Sequence, residues 1–359
     1  MRILNVILSL SGGGAERQLA SLAPELAGRG HEVHVAFVYG GVHAERLNGS
    51  RCMTHHLATT SKYDVRLLPR TISLVRRLRP DVVHTWLTHM DIVGGATAWL
   101  LRVPWVMSER SATLIYPKTL LNRVRLALGK RADLIVPNSP GGAEYWTAHG
   151  VAPSRIEIVP NFVPWEEIES AGPLRDSRIA DGEELVLYVG RLSPEKNLGA
   201  VIEAMTHVAR ARKSAKLAIC GEGPQLADLT AQARAAGIED RIVFAGFVPN
   251  VASWLKRSNA LVAVSFVEGH PNAVLEAMAA GVPVVVSDIP AYRSILAGDS
   301  ASFVPAGDPR EIAAAIVRTL DDRQSAGERA ARAKEGLRSL SLQNVVTQYE
   351  NIYQRLLAR

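Results

Sequence analysis

Residues 265–286 read Ser-Phe-Val-Glu-Gly-His-Pro-Asn-Ala-Val-Leu-Glu-Ala-Met-Ala-Ala-Gly-Val-Pro-Val-Val-Val. Two carboxylates, Glu268 and Glu276, flank a Gly-His-Pro-Asn turn. The pattern predicts that Glu276 opens a small-residue helix ending at Gly281, with a short strand over Val284–Ser287 beyond it. Past Asn272, the N–H groups of Ala273, Val274 and Leu275 then have no intrahelical partner, which suits an anion such as phosphate. Carboxylates beside an anion site call for a ligand carrying both a diphosphate and hydroxyls, and a nucleotide sugar is one. Glu268 would accept from the sugar hydroxyls and Glu276 from the ribose. The same residues also suit an ordinary α/β turn with two solvated acids.

A second loop, Gly190-Arg191-Leu192-Ser193-Pro194-Glu195-Lys196-Asn197, joins an apolar run to a helical pattern. Arg191 offers a planar fork and Lys196 a mobile point charge, so they complement each other on one diphosphate. Positive charge there also stabilises a nucleoside diphosphate as it leaves. The alternative is an exposed loop salt-bridged through Glu195. A third loop, Gly12-Gly13-Gly14-Ala15-Glu16, lets the backbone approach a ligand closely at a helix start, although a steric turn would use the same glycines. Glu16 suits the helix dipole better than catalysis. Gly-x-Gly-x-x-Gly is absent here, which argues against an NAD dehydrogenase.

The elements that position these loops alternate along the chain. Buried-strand patterns fall at Arg2–Ser9, His31–Phe37, Asp81–His84, Trp105–Ser108, Leu134–Pro137 and Ile156–Val159, with helical stretches such as Ala15–Arg29, Leu67–Arg79 and Gly94–Leu101 between them. After a polar stretch, Glu166–Glu183, the alternation restarts with strands at Leu185–Val189, Lys216–Cys220, Ile242–Ala245, Ala260–Val264 and Pro283–Ser287, and with helices at Ala200–Arg210 and Gln225–Ala236. Short apolar runs separated by helix-length segments predict parallel, doubly wound sheets. The expected domains are 1–165 and 166–341, followed by a helix over 342–359. Every motif falls just after a predicted strand, where such sheets bind ligands.

The order and spacing of these loops resemble the family 4 retaining glycosyltransferases, which have the GT-B fold. Glu268 to Glu276 resembles the Glu-x7-Glu donor motif, residues 190–196 the Gly-Arg-Leu-x-x-x-Lys signature, residues 13–16 the Gly-Gly-x-Glu loop, and Gly221-Glu222-Gly223-Pro224 the Gly-x-Gly-Pro turn. The resemblance covers most of the chain and is strongest over 185–290. It implies an α/β GT-B fold, two Rossmann-like doubly wound domains facing across a deep cleft, with the last helix crossing back to the first domain. The first domain would bind the acceptor and the second the nucleotide-sugar donor.

The resemblance also implies hexosyl transfer from a nucleoside diphosphate sugar, with a UDP-sugar the first expectation. Front-face attack would retain the anomeric configuration, the leaving phosphate itself taking the acceptor proton. No cofactor and no metal are expected, with Arg191 and Lys196 in place of a divalent ion. The catalytic candidates are Arg191, Lys196 and Glu268. The donor-binding candidates are Gly13, Gly14, Arg191, Lys196, Val248, Asn272, Ala273, Val274 and Glu276, the backbone of Gly246-Phe247-Val248 bordering the base. Many relatives carry a functional histidine where this chain reads Met107-Ser108-Glu109-Arg110-Ser111. His84, Glu109 and Arg110 are therefore the acceptor-side candidates, His84 reading equally well as a structural histidine. An epimerase or hydrolase of the same fold and a non-catalytic nucleotide-sugar-binding protein are the rival readings.

A chain of 359 residues accommodates two such domains, and 47% apolar with 21% charged residues is the composition of a soluble globular protein. Two cysteines, Cys52 and Cys220, give no metal spacing and no disulfide framework, which fits a reducing compartment. No run reaches about eighteen apolar residues, so no membrane span is expected and a cytoplasmic location is. Residues 1–165 hold 19 Lys+Arg against 11 Asp+Glu, a net of +8, whereas residues 166–359 carry −2. Two basic amphipathic stretches, Lys62–Arg79 and Pro117–Arg131, suit an anionic membrane surface, as peripheral contact near the expected acceptor, a lipid-linked sugar or growing glycan, would require. They equally suit ordinary helices with solvated arginines. No aromatic interleaving accompanies the charge, so nucleic acid is not an expected partner.

Overall fold

The computed structural model describes residues 1–59, 61–110 and 119–358. Ser111, and Pro117 and Lys118 of the second basic stretch, lie outside the described residues. The chain forms two compact units, Met1–Phe162 with Leu342–Arg359, and Val163–Ser341. Among the described residues no helix is long and apolar enough to cross a membrane.

The first unit holds β1 (Arg2–Ser9), β2 (Glu32–Tyr39), β3 (Met53–His56), β4 (Val82–Trp86), β5 (Trp105–Glu109) and β6 (Leu134–Pro137). The second holds β7 (Glu184–Val189), β8 (Ala215–Cys220), β9 (Ile242–Gly246), β10 (Ala260–Ala263), β11 (Val284–Ser287) and β12 (Ser302–Val304). Sheet order is β3-β2-β1-β4-β5-β6 in one and β12-β11-β10-β7-β8-β9 in the other, with every pair parallel. Both units therefore wind the same way, outward in two directions from a first strand. Order reverses between β1 and β4 and between β7 and β10, and crevices open at such points. Apolar residues fill both faces of the central strands, as in β1, where Ile3 and Ile7 pack on one side and Leu4 and Val6 on the other.

Two strands went unread in the sequence. Met53–His56 and Ser302–Val304 are short edge strands, and β3 is largely exposed, so neither shows a buried apolar run. Conversely, Ile156–Val159 is not a strand. It meets β6 through one bridge, Ile135 to Ile156, with bonds from Glu157 N–H to Ile135 O and Val159 N–H to Pro137 O. Pro137 has no N–H to return, so the ladder stops there.

The helix Leu342–Leu357 packs against Gly14–Gly28 within the first unit. Its Val345, Val346, Tyr349, Ile352 and Tyr353 complete one face of the β1-centred core, and Arg29 clamps Glu350 at 2.9 Å.

Candidate active site

Winding order brings the β7 and β10 loops together. β7 ends at Val189, and Gly190 turns the chain under the loops that follow β8 and β9. Gly190 N–H bonds Cys220 O at 3.0 Å, Leu192 N–H bonds Glu222 O at 2.9 Å, and Gly221 N–H bonds Gly246 O at 2.7 Å. Glycine is required at this stack. A Cβ on Gly221 would stand 1.9 Å from Gly190 O, and one on Gly223 would stand 2.3 Å from Leu192 O. The Gly-x-Gly-Pro turn is thus a packing device that fixes the loop carrying Arg191 and Lys196.

A short 3-10 turn, Pro194–Lys196, leads into Asn197 in the left-handed region at φ 57°. The Asn197 amide donates to Val264 O at 3.2 Å and to Ala306 O at 2.7 Å, and Phe266 N–H bonds Glu195 O at 2.9 Å. The β7 loop is thereby sewn to the end of β10. Lys196 Nζ reaches Glu268 Oε1 at 2.6 Å, and Ser265 Oγ donates to the same oxygen at 2.8 Å. Glu195 bonds Ser193 instead of either cation. Arg191 is exposed and forms no ion pair among the described residues.

Glu276 is buried at the fifth position of the helix Asn272–Ala280, so it does not open that helix. The N–H groups of Val274 and Leu275 are also not available to an anion, since both bond Pro271 O at 3.1 Å. Val274 is buried as well, which leaves Asn272 and Ala273 as the helix-start candidates. Val248 packs against the core of its unit, whereas Phe247 is 41% exposed and is the apolar side chain that loop presents. The reading also missed two buried hydroxyls beside Glu268, Ser265 and Tyr292. A lone hydroxyl has no charge to single it out, even though Ser265 opens the 265–286 stretch itself. Burial, reinforced by the Glu268 charge, pushes the phenols of Tyr188 and Tyr292 well above their usual range, so both remain donors. Tyr188 uses its hydrogen on Arg191 O at 2.9 Å.

In the first unit, Gly13 caps the helix Gly14–Gly28, and the Glu16 carboxylate lies so close to it that any Cβ there would overlap Oε2. Two of the acceptor-side candidates lie in the interior. His84 is fully buried in β4, with Nδ1 2.7 Å from Tyr353 OH and Nε2 2.7 Å from Ser108 Oγ. Burial first, then nearby Arg110, holds its pKa well below the usual value. Glu109 is also fully buried and takes bonds from Arg125 at 3.0 Å and Trp146 Nε1 at 2.9 Å. Arg125 in turn holds Asp91 at 2.8 Å, so Glu109 belongs to an internal charge cluster. Arg110 remains half-buried at the end of β5, stacked 4.4 Å over Trp86 and bonded to Asn161 at 2.8 Å and Tyr349 OH at 2.5 Å.

Two parallel, doubly wound sheets with the ionic loops at a reversal point define a GT-B protein. A model of family 4 glycosyltransferases matches residues 12–167, and one of group 1 glycosyl transferases matches 174–338. The chain belongs to this glycosyltransferase family. It is 24% identical over 364 residues to N-acetyl-alpha-D-glucosaminyl L-malate synthase of Bacillus anthracis, covering 95% of this chain and 93% of that one. Over 310 residues, 82% of each chain, it is 27% identical to the N-acetylgalactosamine-N,N'-diacetylbacillosaminyl-diphospho-undecaprenol 4-alpha-N-acetylgalactosaminyltransferase of Campylobacter jejuni. Among solved structures, Anabaena Alr3699/HepE in complex with UDP-glucose superposes with a TM-score of 0.87 at 20% identity, covering 99% of this chain and 100% of that chain.

Proposed function

We propose that this glycosyltransferase moves a sugar from a UDP-sugar to an acceptor hydroxyl, with retention and without a metal ion. The observation that carries the reading is the 2.6 Å contact between Lys196 and Glu268. It puts a cation suited to phosphate beside a carboxylate suited to hydroxyls, at the β7–β10 reversal where ligands gather. Lys196 has three hydrogens, so it can hold Glu268 and still donate to a diphosphate. Exposed Arg191 supplies the second cation. Together they stabilise the charge that develops as the nucleoside diphosphate leaves, and the departing phosphate oxygen accepts the acceptor's proton. Glu268 orients the sugar through its hydroxyls, and Glu276 serves the ribose. Binding of UDP-glucose by the Anabaena neighbour favours a uridine donor.

The acceptor in this reading is a lipid-linked sugar in cell-surface glycan or glycolipid synthesis, bound by the first unit with Arg110 on its side. The name of the Campylobacter relative supports it. So does one surface of that unit. The helices Leu67–Leu78, Thr88–Leu101 and Leu120–Gly129 pack side by side. Arg76, Arg77, Arg79, Arg102, Lys130 and Arg131 are exposed near their C-terminal ends. Trp99 and Leu100 stand among them half-exposed, Trp99 under the Arg131 guanidinium at 5.0 Å, beside a cavity of about 550 Å3. Such a mixture of cations with an exposed tryptophan fits an anionic membrane surface.

A panel of nucleotide sugars, assayed with and without membrane lipid extract, tests the reading through nucleoside diphosphate release and labelled sugar in the lipid phase. Lipid-dependent transfer from a UDP-sugar is expected. Release at the same rate without lipid would replace the reading with hydrolysis or epimerisation, and tight binding without turnover in either condition would replace it with a non-catalytic role. Transfer to a small soluble hydroxy acid, as the name of the Bacillus relative suggests, would keep the enzyme and overturn the lipid acceptor.

A further inference from the structure

Two donors converge on one oxygen of Glu268, and a third hydroxyl stands behind them. Lys196 Nζ stands 2.6 Å from Oε1, Ser265 Oγ 2.8 Å and Tyr292 OH 3.4 Å. The other oxygen, Oε2, receives no hydrogen bond from any described residue. This asymmetry is built from buried parts. Ser265 is 1% exposed and Tyr292 0%. Tyr292 OH lies 3.3 Å from Ser265 Oγ, so the two hydroxyls form a relay. A carboxylate only accepts, which sets the direction: Ser265 donates to Oε1 and Tyr292 donates to Ser265. Ser265 is itself pinned by a bond from Ser287 Oγ to its carbonyl at 2.5 Å, across β10 and β11, while Tyr292 arrives on the short helix Pro290–Arg293 just past β11.

A tyrosine wanted only for volume at this position would be served by phenylalanine, which has no hydroxyl to satisfy. The hydroxyl has a clear use if a carboxylate must hold one orientation. Two direct donors to Oε1, with the Tyr292 hydroxyl behind Ser265, fix the plane of the carboxylate. One oxygen is then left to accept.

We propose that Ser265 and Tyr292 are positioning residues that, with Lys196, commit Oε1 of Glu268 internally and present Oε2 alone to the hydroxyls of the donor sugar. This rests on the donor-site reading of Glu268 given above. It has a specific consequence, because the hydroxyls in question belong to the sugar and not to the nucleotide. Loss of the relay must weaken the sugar nucleotide and spare the nucleotide.

The test is calorimetric titration of the full chain with two probes, UDP-glucose and UDP. Tyr292→Phe and Ser265→Ala are each expected to weaken UDP-glucose about fivefold, the scale of one ordinary hydrogen bond, with UDP unchanged. Glu268→Gln is expected to show the same selective loss. A parallel loss for both probes would reduce the hydroxyls to a structural role, and unchanged binding of both probes would remove the role entirely; either result overturns the inference. If Glu268→Gln weakens UDP-glucose and the other two do not, only this inference fails. If Glu268→Gln is itself without effect, or the wild type binds neither probe, the donor-site reading fails and takes the inference with it.

Discussion

Replacing Lys196 by methionine keeps the length of the side chain and removes its charge. The ammonium lies 2.6 Å from Glu268 Oε1, the two side chains being 21% and 13% exposed. At an effective dielectric of about 20, two charges 4 Å apart attract by about 4 kcal/mol, but desolvation offsets much of that. The net loss of stability in residues 163–341 is therefore expected at about 2 kcal/mol, the scale of one charged hydrogen bond. For a unit of this size that lowers Tm by roughly 4–8 °C. Turnover should suffer more. A preorganised group aimed at developing charge contributes about 3–4 kcal/mol, so kcat should fall by about 10²–10³. The assay is nucleoside diphosphate release at saturating donor, paired with thermal melts on the same protein. Glu195→Gln is the control, because that carboxylate bonds Ser193 instead of either cation, and its kcat should stay near the wild-type value. A Lys196→Met protein that melts as expected and turns over within roughly threefold of wild type would refute the leaving-group role, and with it the reasoning from preorganised charge.

Two further outcomes concern the scaffold. Gly221→Ala forces a Cβ to 1.9 Å from Gly190 O, so denaturation should show a loss of about 3 kcal/mol, whereas Gly237→Ala, at φ 67° with open space around it, should lose only about 1 kcal/mol. In the first unit, burial raises Asp91 from 3.8 to about 6 despite the opposing Arg125. Its folded pKa lies above the unfolded one, so the proton is held more tightly when folded. The stability this contributes is complete below about pH 4 and is lost as pH rises through 6. Arg125→Met removes the opposing cation and leaves two buried carboxylates without it. Urea unfolding should show a deficit of about 3–5 kcal/mol at pH 8 that shrinks at pH 5; a pH-independent deficit would mean the cluster is hydrated.

The central strands were legible because parallel strands buried on both faces read as plain apolar runs, and β1 and β6 fall at the ends assigned to them from sequence. The edge strands β3 and β12 were not, since an edge can be short and half solvated without losing its pairing. The ionic loops were legible as residue types after strands. Their meeting was not, because Lys196 and Glu268 lie 72 residues apart and only the winding order makes their strands neighbours. The surroundings of Glu109 were hidden for a related reason. Its partner Arg125 sits in a helix that sequence treats as an amphipathic basic surface, and one of those arginines points inward to a buried pair of acids. Val274 and Leu275 illustrate a local limit, for a proline carbonyl that bends back to meet both amides leaves no trace in residue type.

The first unit is closed by a segment that follows the whole of the second. Residues 342–358 are translated only after all of 163–341, yet Tyr349 and Tyr353 fill the core beside β1 and β4, and Tyr353 satisfies His84. The second unit is contiguous and has every residue it needs once Ser341 is clear of the ribosome. The usual order for a nascent protein, N-terminal domain first, is therefore inverted at the closing step. Until that helix emerges, the older half of the molecule carries an open hydrophobic trough and a histidine that lacks one of its two partners, and this is the interval in which chaperones would find it.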